Sequence, residues 1–341
     1  MQQGSVSQFP SGGPAPESTS ARRGGFLRNM DPGSLQLLGL AIVCVVLAVV
    51  MQLRYPRYLS GPNVEVMLIN FVPEAIMALG MTIIMITGGI DISVGAVLQF
   101  SAIVAAMLMR AGVPVPLAIV LTLVAAAVVG LINGGLTNLF KVHPFIVTLA
   151  TLLTLRGIDL VITGGTSISD LPKSFTFLGQ GEIGPIRVSL IVFVVLALII
   201  GYALRNNRYL QQAYFIGGNR RAARMSGVRV ERFLLFAFVL NAVLAGIAGL
   251  VVCSQYGAAS VSYGQNAELR VIAATAIGGA SFSGGAGTIG GTVLGVIFLA
   301  MVYNAFNMSG INTYWQDVAI GVMLLIAVFL GEVLKRRRIA R

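Results

Sequence analysis

Residues 35–53 read LQLLGLAIVCVVLAVVMQL, a run without a single charged side chain. A helix needs about twenty such residues to cross the roughly 30 Å hydrocarbon core of a bilayer, and this run is long enough. It is also too long to be the apolar core of a cleaved signal peptide, and Arg22, Arg23 and Arg28 precede it. It therefore reads as a first membrane span with its N-terminal side in the cytoplasm. Comparable runs follow at 65–87, 93–111, 115–139, 144–163, 188–205, 232–254, 266–280, 287–308 and 313–333. The expected fold is all-α, a polytopic membrane protein of about ten transmembrane helices with both termini cytoplasmic.

Composition agrees. Apolar residues make up 56% of the 341, charged residues only 10%, and the mean hydropathy is +0.88. Soluble domains carry roughly 25% charged residues, so this chain has no such domain of any size. The net charge of +11 invites a nucleic-acid reading, but its placement argues against one. Most of the Lys and Arg fall in two clusters, Arg205–Arg232 and Lys335–Arg341, each beside the end of a span. That is the positive-inside pattern, which sets topology. In the ten-span arrangement about sixteen of the 23 basic residues are cytoplasmic and about five external.

The domain organisation follows. Residues 1–32, rich in Ser, Gly and Pro, are expected to be a disordered cytoplasmic tail. Residues 33–334 form a single transmembrane domain with an external loop at 164–187, and 335–341 form a basic cytoplasmic tail. Cys44 and Cys253 lie inside apolar runs and read as packing residues.

Most connections between spans are short. The exception is YLQQAYFIGGNRRAARMSGVRVER at 209–232, which carries Arg220, Arg221, Arg224, Arg229 and Arg232. A long basic connection with room for its own short helix is more than a tether, and it reads as a surface for a soluble cytoplasmic partner.

Thr87–Gly95, TGGIDISVG, sets Gly88, Gly89, Asp91 and Ser93 between two apolar runs. Irregular backbone at membrane depth survives only inside protein or against a wet cavity, and an intramembrane carboxylate reads as functional by default. The alternative is a cytoplasmic-side turn in which Asp91 caps the next helix. A second glycine-rich segment spans Glu268–Gly295. Its Gly285–Gly290 stretch fits G-x-G-x-x-G, but no strand precedes it and no acidic residue follows at the required distance. Gly287, Gly291 and Gly295 are instead spaced for close helix packing on one face. Glu268 and Arg270 near the start of that span either snorkel or line a path.

Arg156 and Asp159, three apart in one span, read as a neutralising pair in preference to a proton relay. His143, alone before Pro144, has no companion for a metal site. The three lysines, Lys141, Lys173 and Lys335, none of them after a glycine, leave no phosphate-binding loop of the Gly-Lys-Ser/Thr type. Metalloprotease and serine-hydrolase signatures are also missing. VGAVL at 94–98 and GGTVL at 290–294 echo each other, as two pseudo-repeated halves of a transporter would.

TGGIDISVG, INGGLTNLF at 132–140, IGGNRRAARMSGVRV at 216–230 and the Glu268–Gly295 segment together resemble the permease subunit of ribose-type ABC importers. The resemblance runs from about Asn63 to Val333. It implies a permease of the bacterial cytoplasmic (inner) membrane without catalytic residues, metal or cofactor of its own. ATP and Mg would be bound by a partner, a cytoplasmic ABC ATPase. A periplasmic sugar-binding protein would deliver a pentose or hexose, and a second permease, identical or not, would pair with this one. The family's cytoplasmic coupling loop maps onto 206–231, with Gly217, Gly218, Asn219, Arg220, Arg221, Arg224, Ser226 and Gly227. Arg220 and Arg221 stand where the family often has an acidic residue, and Gly88-Gly89-Ile90-Asp91 where it often has S-G-I-D.

Sugar hydroxyls call for neutral polar partners, so Asn70, Gln99, Asn133 and Asn304 join Gly88, Gly89, Asp91, Ser93 and Glu268 as expected pathway or gate residues, with interhelical glue as the other role. An importer of nucleosides or another small polar solute follows the same plan. An ion-coupled transporter would use Asp91 or the Arg156–Asp159 pair but has no task for the basic loop.

Overall fold

The computed structural model describes residues 32–312 and 314–339. The expectation for the 1–32 tail thus lies outside the described residues, apart from Pro32, which opens the first helix.

Thirteen helices follow in order among the described residues: α1 Pro32–Arg54, α2 Gly61–Ile86, α3 Val94–Arg110, α4 Val115–Phe140, α5 Pro144–Thr163, α6 Lys173–Gln180, α7 Val188–Asn206, α8 Arg208–Gly218, α9 Arg220–Met225, α10 Val230–Tyr256, α11 Ala267–Ile277, α12 Ile289–Met308 and α13 Tyr314–Ile339. One two-stranded hairpin, β1 Glu182–Ile183 and β2 Ile186–Arg187, precedes α7. Seven of these helices, α1, α2, α4, α5, α7, α10 and α12, are long and apolar enough to cross a membrane. Two shorter apolar helices, Val94–Arg110 and Tyr314–Ala327, accompany them.

The run expected to cross at 266–280 holds only the 11 residues of α11. At 1.5 Å per residue that is about 16 Å, half of a hydrocarbon core. Before it, residues 257–266 form turns, because Gly257, Gly264 and Asn266 all take positive φ (63°, 70° and 57°). This segment lies along α3: Gly264 is so close to the carbonyl of Gly95 that a β-carbon would not fit. Ala259 exchanges two backbone bonds with Ile168 (2.9 and 2.8 Å).

The core is built around α10, which packs on α2, α3 and α4. Small residues let the backbones approach. Gly130 of α4 rests on the backbone of Phe238 and Val239, and Gly249 of α10 on the carbonyl of Leu98. The 164–187 connection is not a bare loop. Its helix α6 packs on the end of α10, where Ser254 Oγ accepts from Gly179 N (2.6 Å) and donates to the carbonyl of Phe175 (2.8 Å). Arg187 ties the hairpin to α2 through Glu65 (3.0 Å) and pairs within the hairpin with Glu182 (3.1 Å). The short helix α8 sits at the other end of α10, with Tyr209 against Phe233 and Phe236.

A structural likeness within the chain appears at a different place from the 94–98 and 290–294 echo. α2 and α11 end in the same turn. Gly88 N bonds Met85 O (2.9 Å) and Gly89 N bonds Ile84 O (3.1 Å), while Gly279 N bonds Ala276 O (2.9 Å) and Ala280 N bonds Thr275 O (3.1 Å). In each, the glycine has positive φ, 77° at Gly88 and 98° at Gly279. Both are the left-handed C-cap that supplies a helix's last carbonyls with donors. Thr82 of α2 and Thr292 of α12 then join the halves through a 2.6 Å hydroxyl bond.

Candidate coupling and translocation site

The 206–231 stretch folds as two short helices with well-defined caps. Asn207 caps α8, its Oδ1 accepting from Tyr209 N (2.8 Å) and Leu210 N (3.4 Å). Asn219, extended at φ −159°, ends α8 and caps α9 by accepting from Ala222 N (3.0 Å). Gly227 (φ 85°) closes α9, so the chain turns back into α10. Leu210, Ala213, Ile216 and Ala223 face inward and are buried. Gly218, Asn219, Arg220, Arg221, Arg224, Ser226 and Gly227 are all exposed, and Met225 beside them is 83% exposed. Arg224 pairs with Glu231 at 2.5 Å; with both side chains in solvent the pair contributes little stability.

Gly217 and Gly218 differ sharply. A β-carbon on Gly217 would collide with the carbonyl of Ile86 and with Gly285 N, whereas nothing lies within 4 Å of one on Gly218. Ile86 O in turn accepts from Gly285 N (2.8 Å), and Tyr214 Oη donates to Gly287 O (2.8 Å). Gly88 lies over Ser283 and Gly284. The exposed α8–α9 face is thus joined through backbone contacts to the end of α2 and to the loop that follows α11.

Asp91 is buried and fully engaged. One oxygen accepts from Ser93 N (2.9 Å) and Ser93 Oγ (2.6 Å), the other from Asn241 Nδ2 (2.9 Å). Asn133 Nδ2 donates to Ser93 Oγ (2.9 Å), Thr151 Oγ1 donates to Asn133 Oδ1 (2.6 Å), and Ile92 N donates to Thr148 Oγ1 (3.2 Å). The turn after α2 is held to α4, α5 and α10 by one polar network.

Gln99 is also buried and donates to Asp159 Oδ2 (2.8 Å). Asn304 exchanges two bonds with Asn63 (2.9 and 3.0 Å). Asn70, by contrast, is exposed on α2, with its Oδ1 3.5 Å from Gln255 Nε2.

Two expectations are corrected. Arg156 and Asp159 do not neutralise each other: Arg156 pairs with Glu268 on α11 (3.2 Å) and Asp159 bonds Gln99 on α3, because the two residues face different neighbours. Gly287 is not on a packing helix, since α12 begins two residues later and Gly287 has φ 148° in the preceding loop. Gly291 and Gly295 do pack on one face, against the carbonyls of Gly278 and Ala274.

Sequence reasoning missed Asn241, Glu74 and Thr292. Each is a polar residue within an apolar run, which is the signal that points to them. His143 caps α5, its Nδ1 accepting from Phe145 N at 3.3 Å.

Residues 63–328 match the family described as branched-chain amino acid transport system / permease component. The chain is 36% identical over 302 residues to the ribose import permease protein RbsC of Bacillus subtilis, covering 88% of this chain and 94% of that protein. It is 32% identical to the xylose transport system permease protein XylH of Escherichia coli K12 (89% and 94% covered). Against the D-allose transport system permease protein AlsC of the same strain it is again 32% identical (86% and 91%). No solved structure matches the chain. With two thirds of its length or more aligned to each of these proteins, the chain belongs to this family of transport permease components and, within it, resembles the ribose-type sugar permeases.

Proposed function

We propose that this chain is the membrane-spanning permease of an ATP-driven importer for a monosaccharide, a pentose or hexose. The observation that carries the reading is the full-length likeness to ribose, xylose and allose permeases. A separate cytoplasmic ABC ATPase, binding ATP and Mg, docks on the exposed face of α8 and α9. A soluble binding protein outside a bacterial inner membrane delivers the sugar, and a second permease completes the transporter.

In this reading the ATPase moves α8, and Gly217 carries the displacement to Ile86 at the end of α2 and to Gly285 in the loop after α11. No rotameric slack intervenes, because the contacts are backbone on backbone. Asp91, Ser93, Gln99, Asn133 and Asn304 then act mainly as the polar glue of the bundle, each engaged in a direct bond. Asn70 alone of the expected pathway amides is exposed.

The test is co-purification with the ATPase in detergent, with and without Gly218→Trp. Open space at Gly218 leaves the permease fold intact while the indole blocks docking. Wild type that retains the ATPase and a variant that loses it support the reading. Sugar uptake by the chain alone under an ion gradient would overturn it. The family description favours one second reading, a branched-chain amino acid as cargo; leucine competing with sugar uptake distinguishes it.

A further inference from the structure

A row of polar groups lies open along α2 at membrane depth. Asn70 sits nine residues into α2, about 13 Å along the helix, and is exposed. Above it, Gln255 Nε2 lies 3.5 Å from Asn70 Oδ1. Below it, one helical turn on and on the same face, Glu74 binds Arg270 Nε at 2.5 Å. Pro73 lies between them in sequence; it is buried, and having no N–H it leaves the carbonyl of Ile69 without its usual helical donor. Next to Gln255 in sequence, at the end of α10, Tyr256 is 59% exposed and faces Tyr263 with ring centroids 5.4 Å apart.

An exposed amide and a partly open ion pair are costly against lipid, where each unsatisfied polar group loses several kcal/mol. The non-helical 257–266 segment beside them obeys the same rule: irregular backbone at this depth lines protein or water. The groups also suit one chemistry. The amides of Asn70 and Gln255 offer both donors and acceptors to hydroxyls, and a tyrosine face takes the C–H side of a sugar ring.

We propose that Asn70, Gln255 and Tyr256, continued inward by Glu74 and Arg270, form a water-facing binding site for a neutral sugar within the permease. This rests on the importer reading and identifies where in the chain the cargo is held. Glu74 and Arg270 satisfy each other, so the ring meets no unpaired charge. The buried Asp91 network is separate from it and does not touch the cargo.

The experiment uses the complete transporter, permease with its ATPase, in membrane vesicles. Asn70→Cys and, as an exposed apolar control, Leu153→Cys are treated with a membrane-impermeant maleimide. The wild type supplies the background, since Cys44 and Cys253 are both buried. Asn70→Cys is expected to label while Leu153→Cys stays at background. In parallel, Tyr256→Ala is expected to lower kcat/KM for import by about tenfold, and Tyr256→Phe, which keeps the ring, by no more than about twofold. Asn70→Cys at background, a disulfide linking two copies of the Asn70→Cys permease, or Tyr256→Phe as poor as Tyr256→Ala would each overturn the site. A wild type that imports no pentose or hexose, D-ribose, D-xylose and D-allose included, overturns the importer reading itself. One that imports a sugar while Asn70→Cys stays unlabelled overturns only the site.

Discussion

The turn that ends α2 and the turn that ends α11 share a backbone and differ in everything around it. Both close with the same pair of amide bonds and a left-handed glycine. After the first, the chain runs into Asp91 and Ser93, which are buried and tied to Asn133 and Asn241 on two other helices. After the second it runs into Ser281–Thr288, a longer and partly exposed loop. There Ser281 Oγ accepts from its near neighbour Ser283 N (3.2 Å) and Thr288 Oγ1 from Gly291 N (3.0 Å); among the described residues the one side-chain bond from a distant element is Tyr214 Oη to Gly287 O (2.8 Å). One turn is bolted into the bundle by a buried side-chain network, and the other is held by backbone contacts, packing and one tyrosine hydroxyl. Gly217 touches both regions, at Ile86 and at Gly285, so a push from α8 meets a stiff neighbour and a compliant one.

The largest predicted effect tests the stiff side. Asp91→Ala strands the Asn241 amide and the Ser93 hydroxyl in the core, and should cost about 3 kcal/mol by the usual penalty for unpaired buried groups. A melt in detergent would register this as a clear fall in Tm, and an unchanged Tm would mean the network does not hold the turn. Next is the shared contact. Gly217→Ala drives a methyl group into the Ile86 carbonyl, at a cost of about 2 kcal/mol. Coupling should suffer as well, read as ATP hydrolysis that no longer rises with sugar import.

A smaller effect tests the likeness itself. Gly88→Ala and Gly279→Ala both place a β-carbon at positive φ, with first contacts at 3.5 and 3.4 Å, so each should cost about 1 kcal/mol from backbone strain. Unequal losses would show that the two turns are alike in form only. The smallest is Ser281→Ala on the compliant side, expected to shift stability by no more than about 0.5 kcal/mol. A loss as large as that of Asp91→Ala would erase the contrast.

Much of this was legible in the chain. The seven long spans follow from apolar runs such as 35–53, which only a bilayer explains, and the α8–α9 segment from its arginines and length. The half-length α11 was not. VIAATAI is as apolar as any span, and hydropathy averages over the turns at Gly257 and Gly264 that shorten the helix. Ion-pair partners were illegible for a different reason. Arg156 and Asp159 are near neighbours in sequence, yet Arg156 finds Glu268 112 residues away and Asp159 finds Gln99 60 residues away. Local spacing carries no information on such distances. Asp91 was readable as either a cap or a membrane-depth group. It accepts from Ser93 N as a cap does, but the bond to Asn241, 150 residues on, has no local signal.

The ion pairs of α11 have a mechanical consequence. Glu268 and Arg270 are two residues apart, about 200° around the helix, so they reach to opposite sides: Glu268 to Arg156 on α5 and Arg270 to Glu74 on α2. Spinning α11 about its own axis would break both pairs at once, whereas tilting it about that pinned end breaks neither. With only 11 residues, its first turn keyed by two ion pairs and its last packed on Gly291 and Gly295 of α12, the helix cannot roll, and any tilt it makes it makes together with α12.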